Sequence, residues 1–195
     1  MSKIILGSIA PPNANLAISV PPTSNLIIGG SVIQTVMVRS DTRTTFSALN
    51  SGQGTTITNL NLTVAPKRAN SLLVMTWQIS GESNENVNFL IHRNGNLILD
   101  SGYEGLNGMV GNTTIQCGYT TSWYDADVST TPTSYIIRYA IVAANTTSQT
   151  YAPAVRSSSN GSSYTFYLNR CVNNEGTTDQ ENGISTGVLQ EVATG

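Results

Sequence analysis

Charge is what this sequence lacks most. Only 10% of its 195 residues are Asp, Glu, Lys or Arg, against roughly a quarter in an ordinary soluble domain. Nine basic and eleven acidic side chains leave a formal net charge of −2 and no basic run, so nucleic acid is not an expected partner. Histidine occurs once and cysteine twice, at Cys117 and Cys171. That is too little for a zinc set or a disulfide framework. The two cysteines read as buried thiols, with a single disulfide as the alternative. No apolar run approaches the roughly 18 residues of a membrane span. The short patch Ile4-Ile5-Leu6 is interrupted by Gly7 and Pro11-Pro12, so it does not read as a signal peptide, and synthesis in a cytoplasm without cleavage is expected. The glycine-rich stretch 102–111 has no lysine and no helix signal after it, which argues against a nucleotide site; no cofactor is expected.

What fills the place of charge is hydroxyl and amide. Ser, Thr and Asn make up 67 of the 195 residues, a composition of strands and turns rather than helices. The apolar fraction of 39% supports a core, and the length suits one β-sandwich or barrel rather than two domains. Apolar residues alternate with polar ones along several short segments. One runs over 32–38. A second, over 57–64, puts Leu60, Leu62 and Val64 on one side. In a third, Leu73, Met75, Trp77 and Ile79 share a face, which places Trp77 in the core. Val87, Phe89 and Ile91 alternate with Asn88, Leu90 and His92. Asn94-Gly95 then signals a tight hairpin, with a return strand over 97–99. The region 101–128 is less regular, with a strand near 113–118. Tyr135, Ile137, Tyr139, Ile141 and Ala143 form the clearest stripe, and Tyr164, Phe166 and Leu168 another. A last strand covers 184–192. Nine or ten short strands with no 3.6-residue periodicity predict an all-β fold over 31–195, a β-sandwich, jelly roll or barrel, and strands with one apolar and one Thr/Asn/Ser face suit a two-sheet sandwich.

Residues 1–30 differ from the rest. They hold four of the seven prolines and a ten-residue repeat, Pro11-Pro12-Asn13-Ala14-Asn15-Leu16-Ala17-Ile18 followed by Pro21-Pro22-Thr23-Ser24-Asn25-Leu26-Ile27-Ile28. Each proline pair fixes extended chain without N–H donors, and each Asn-Leu-x-Ile unit offers a short β edge with an apolar side. The segment reads as an extended N-terminal arm that grips another surface, through Ile9, Pro11, Pro12, Leu16, Ile18, Pro21, Pro22, Leu26 and Ile28.

The segment from Trp123-Tyr124-Asp125-Ala126-Asp127 through Ser134-Tyr135-Ile136-Ile137-Arg138-Tyr139, Tyr164-Thr165-Phe166-Tyr167-Leu168-Asn169-Arg170 and Gly183-Ile184-Ser185-Thr186-Gly187-Val188-Leu189-Gln190-Glu191-Val192 resembles the C-terminal half of jelly-roll modules in tailed-phage virion proteins. Leu72-Leu73-Val74-Met75-Thr76 and His92-Arg93-Asn94-Gly95 fit the earlier strands of such modules more loosely. These modules are similar to the trimeric fold of the tumour-necrosis-factor and C1q families. The resemblance implies an assembly role in the virion as a homotrimer, with the major capsid protein or other virion subunits as partners, and it supplies no catalytic residues. A capsid decoration (cement) protein is the first expectation. A tail-fibre or receptor-binding protein that recognises a host glycan through loops 102–111, 123–127 and 157–163 is the second.

The candidate chemistry is thin, and an enzyme is not expected. His92, beside the hairpin turn, reads as a surface residue rather than a member of a Ser-His-Asp set. Trp123, Tyr124, Asp125 and Asp127 form a candidate ligand loop or subunit contact, while the two aromatic rings read first as core or trimer-axis packing. Their acids read first as turn caps, with calcium binding or paired-carboxylate hydrolysis as alternatives; Asp100 and Glu104 lie upstream of them. Asp179 and Glu181 read as solvated surface. The Asn-x-Ser/Thr triplets at Asn61, Asn112, Asn145 and Asn160 read as products of composition, not as glycosylation acceptors.

Overall fold

The structure is a computed structural model, and it describes residues 28–98, 120–121, 132–159, 161–173 and 181–194. Among them are twelve β-strands: β1 (Val32–Ser40), β2 (Thr44–Ala48), β3 (Thr55–Thr56), β4 (Leu62–Val64), β5 (Leu72–Ser83), β6 (Val87–Arg93), β7 (Asn96–Leu97), β8 (Thr120–Thr121), β9 (Thr133–Val142), β10 (Gln149–Ser157), β11 (Tyr164–Leu168) and β12 (Ser185–Val192). The single helical element among them is a 3-10 turn at Thr58–Leu60. The all-β expectation therefore holds, and all strand pairing between these strands is antiparallel.

The strands form two sheets. In the first, the order runs β1-β12-β5-β11-β2, with β9 on the other edge of β5. In the second, β10 pairs β3, β4 and β6, and β6 also pairs β7 and β8. The register shows that several of these strands are one line of chain interrupted. β12 lies along Leu72–Gln78 of β5 and β11 along Gly81–Ser83 of the same edge. β11 and β12 thus continue one line, with residues 169–184 between them in the sequence. β1 and β2 make a second broken line, and β3 and β4, split by the 3-10 turn, a third along β10. β7 and β8 share one edge of β6.

Alternation decides what goes inside. On β5, Leu73, Met75, Trp77 and Ile79 are fully buried; on β9, Tyr135, Ile137 and Tyr139 face the same core. Phe89 of the second sheet meets Tyr135 and Phe166 of the first at ring-centroid distances of 5.0 and 5.2 Å, within the range of favourable aromatic pairs. These three rings tie the sheets together. Trp77 donates its indole N–H to Leu60 O at 3.0 Å, which satisfies the buried polar atom of a core tryptophan. Gly187 faces it across β12, and a Cβ there would lie 2.6 Å from the indole ring, so the ring's volume requires glycine opposite.

The structure corrects several expectations. Segment 57–64 is not one alternating strand. Leu60, Leu62 and Val64 are buried as expected, but the chain turns through Thr58–Leu60 before β4 begins. Two strands carry no alternation that would announce them. β2 (Thr-Thr-Phe-Ser-Ala) has one large apolar residue. β10 (Gln-Thr-Tyr-Ala-Pro-Ala-Val-Arg-Ser) is buried on both faces from Tyr151 to Ser157 and has Pro153 in its middle. Proline is tolerated in this two-sided strand because of its register. β3 pairs Ala154–Val155 and β4 pairs Gln149–Tyr151, so Pro153 stands opposite the 3-10 interruption, where its O accepts Ile57 N at 2.8 Å and no ladder donor is demanded of it. The hairpin at Asn94-Gly95 is present, with φ of 53° and 78° at the two residues, the signs that a type I′ turn requires. The segment expected as a strand over 113–118 lies outside the described residues.

Candidate interaction surface

The outer face of the first sheet carries apolar side chains in register. Val142, Leu72, Val192 and Val32 stand opposite one another across β9, β5, β12 and β1. Two residues along, Ala140, Val74, Gln190 and Thr35 align, then Arg138, Thr76, Val188 and Met37, then Ile136, Gln78, Thr186 and Arg39. Seven large hydrophobic residues are exposed among those described, and four of them, Met37 at 72%, Ile136 and Val142 at 55% and Val32 at 49%, lie on this one face. The half-buried Leu72 and Val192 join Val142 to Val32 in one apolar row across the sheet, the kind of continuity that marks a contact surface, whereas Met37 and Ile136 stand on opposite edge strands. Arg39 and Arg138 are the only charged side chains in these four rows. Arg39 reaches Asp41 at 3.7 Å in an exposed pair, which contributes little to stability.

Two sheet edges flank the face. Among the described residues β1 pairs only with β12 and β9 only with β5. The described chain begins on the β1 edge. Gly30 N donates to Ala193 O at 2.7 Å and Ala193 N to Ser31 O at 2.8 Å, so the chain enters the sheet beside its last strand. Ile28, the one proposed arm contact within the described residues, is 62% exposed there. Ile9, Pro11, Pro12, Leu16, Ile18, Pro21, Pro22 and Leu26 lie outside the described residues. So do Trp123, Tyr124, Asp125 and Asp127, and the first two of the three loops expected to recognise a glycan.

The outer face of the second sheet is the opposite case. Asn88, Leu90 and His92 of β6 and Ala152, Ala154 and Arg156 of β10 are all 2% exposed or less. His92 is therefore not the surface residue that its neighbourhood in the sequence suggested. Gln53 O can only accept, so the 2.9 Å contact to His92 Nε2 makes that nitrogen the donor; Nδ1 then accepts from the Thr56 hydroxyl at 2.7 Å. The ring is neutral and saturated, with burial lowering its pKa despite the opposing effect of the Gln53 hydrogen bond. The same Gln53 accepts Leu97 N through Oε1 at 2.9 Å, which fastens this loop over β6 and β7. Proximity to a turn told where the chain reverses but not what lies over the strand before it.

Other buried polar groups are structural rather than reactive. Glu191, fully buried on β12, accepts Lys67 N at 2.8 Å, Arg68 N at 3.0 Å, Ser71 Oγ at 2.6 Å and Gln34 Nε2 at 2.7 Å. Desolvation alone would raise its pKa, but the four donors together hold it below the ordinary carboxylate value. Asn169, fully buried with φ of 60°, sits where the β11–β12 line breaks. Its Nδ2 donates to Ser40 O at 2.9 Å and Thr42 O at 3.0 Å, and its Oδ1 accepts Ser185 Oγ at 2.6 Å. One amide thus pins the breaks in both interrupted lines of the first sheet. Nothing in its sequence neighbourhood marks it, since Asn is common in this chain. Cys171 is a buried thiol. Burial first, and the charges of Glu82 and Glu181 second, push its pKa up, the reverse of an activated nucleophile. Cys117 lies outside the described residues. Glu181 is exposed, as expected for solvated surface, and its carbonyl accepts Cys171 Sγ–H at 3.4 Å. Among the described residues no group of three His, Cys, Asp or Glu side chains could hold a metal ion.

The chain matches no protein-family model and no curated protein.

Proposed function

We propose that this protein is a structural subunit of a phage virion, a capsid decoration protein that trimerises through the outer face of its first sheet and grips the shell with its N-terminal arm. The observation that carries the reading is the wholly apolar row Val142, Leu72, Val192 and Val32 across that face, with Met37 and Ile136 exposed farther along it. An antiparallel sheet with one wet face normally shows it polar; here it is ready to be covered. The strand order supports a jelly roll for the core. Numbering the broken lines as single strands gives 1-8-3-6 in one sheet and 2-7-4-5 in the other, the winding of two interlocked Greek keys. That agrees with the resemblance to trimeric jelly-roll modules.

The mechanism is thermodynamic. A subunit that binds only the assembled shell stabilises it by mass action, and three arms on one trimer bind with avidity. The repeated Asn-Leu-x-Ile units of the arm suit strand addition to sheet edges, where backbone hydrogen bonds supply affinity. The reading is one of binding, not catalysis. The single histidine is spent on Thr56 and Gln53.

Light scattering and sedimentation of the whole chain test it, beside Met37→Lys with Ile136→Lys and a form without residues 1–27. The native chain should be a trimer. The double variant should be a folded monomer, and the truncated form a trimer that no longer binds particles. A native chain that stays monomeric at every concentration, or an armless form that decorates shells at full occupancy, overturns the proposal.

A further inference from the structure

A cleft of about 480 Å³ opens at the end of the sandwich where the β6–β7 turn, the β9–β10 loop and Pro66 converge, a volume suited to a small-molecule ligand. Its apolar side is made by Leu73, Val142 and Tyr151, with Leu73 and Tyr151 buried beneath it. Its polar side is made by amides and one cation: Asn96, Asn145, Gln149 and Arg93. Among the lining residues there is no acidic side chain, and among the described residues none forms an ion pair with Arg93. Tyr151 and Arg93 are paired across β10 and β6; the Tyr151 phenol has its pKa raised by burial, with Arg93 opposing through its charge and a hydrogen bond, so the guanidinium lies beside the tyrosine hydroxyl.

The amides are held but half used. Gln149 Oε1 accepts Asn94 Nδ2 at 2.6 Å, Asn145 Oδ1 accepts Thr147 N at 2.9 Å, and Asn96 Nδ2 donates to Asn94 O at 3.2 Å. The complementary atoms, Gln149 Nε2, Asn145 Nδ2 and Asn96 Oδ1, have no partner within the described chain. Two donors and an acceptor, fixed in place, suit hydroxyl groups, which both give and take hydrogen bonds. An apolar wall suits the C–H face of a sugar ring. One unbalanced guanidinium suits a carboxylate, and the lack of a second cation or a helix N-terminus at the cleft disfavours phosphate.

We propose that this cleft binds an acidic sugar, a uronate or similarly carboxylated pyranose, with its carboxylate on Arg93 and its hydroxyls on the three amides. The site shares only Val142 with the sheet face proposed for self-association and does not depend on it.

Saturation-transfer NMR on the whole chain tests this with three probes at millimolar concentration: sodium glucuronate, glucose and sodium acetate. Two variants accompany it, Arg93→Gln and Ala144→Trp, the second to fill the mouth of the cleft from an exposed position; thermal melting reports that each is folded. Glucuronate should bind, glucose and acetate should bind at least about fivefold more weakly, Arg93→Gln should weaken glucuronate by about tenfold or more, and Ala144→Trp should abolish it. Absence of transfer from glucuronate overturns the proposal. So does acetate or glucose binding as well as glucuronate, or glucuronate binding that neither folded variant weakens.

Discussion

The two outer sheet faces are built from similar sequence yet end in opposite states. On β9, Ile136, Arg138, Ala140 and Val142 alternate with core residues and stand in solvent. On β6, Asn88, Leu90 and His92 alternate with core residues in the same way and are buried. The difference is in what the chain lays over them. The second sheet receives the Gln53 loop, anchored by His92 Nε2 and Leu97 N, and Leu49 bridges Arg156 of β10. Among the described residues the first sheet receives no such cover across its four rows. A face over which the chain folds its own loops is closed within one subunit; among the described residues the Met, Ile and Val side chains of the other face stay exposed.

The sharpest way to break that comparison is to place a charge on each face. Leu90→Asp should unfold the protein at room temperature or cost at least about 4 kcal/mol, since it buries an unpaired carboxylate and removes a packed side chain. Ile136→Asp should change the stability of the folded monomer by no more than about 0.5 kcal/mol while weakening self-association. Urea denaturation and sedimentation of the two variants decide it, and equal destabilisation would erase the distinction between the faces.

A smaller effect is expected at Glu191. Glu191→Gln keeps the shape but places an N–H₂ where one of the carboxylate oxygens took backbone or hydroxyl protons, so it should cost about 2–3 kcal/mol at neutral pH. The sign with pH follows from the direction of the shift. The folded pKa lies below the ordinary value of 4.5, so the carboxylate stabilises fully above pH 4.5 and loses that contribution as the pH falls through the folded pKa. The gap between native and variant should close in acid; a constant gap from pH 7 to 3 would show that the cradle does not favour the charged form.

The smallest effect belongs to His92. Its folded pKa lies below 6.5, so folded and unfolded chains bind protons equally above pH 6.5. Below it the unfolded chain is protonated first, and stability declines until the folded pKa is passed. His92→Gln should remove this slope between pH 6.5 and 5, read from denaturation midpoints, at a cost at neutral pH of about 1 kcal/mol. An unchanged slope would mean that the ring is not the group responsible.

Much of the fold was legible because alternation is a local property. Tyr135, Ile137 and Tyr139 announce a face, and so do Leu73, Met75, Trp77 and Ile79; the turn at Asn94-Gly95 announces itself through the cheap positive φ of its residues. Where both faces of a strand are covered, as in β10, alternation vanishes, and Pro153 reads as a break until the register shows the interruption it faces. The cleft was illegible for a related reason. Arg93, Asn145 and Tyr151 come from separate segments that only strand pairing brings together.

By itself the sequence determined the class of the protein. Alternating apolar residues with Ser, Thr and Asn between them can hide their apolar sides only by forming sheets that face each other, and the scarcity of charge left little else for such a chain to do. Tertiary structure alone decided which outward faces stay bare, where one amide, Asn169, pins two broken lines, and why a lone histidine is buried. Each of these depends on loops distant in sequence arriving over a strand, and short-range periodicity carries no record of that.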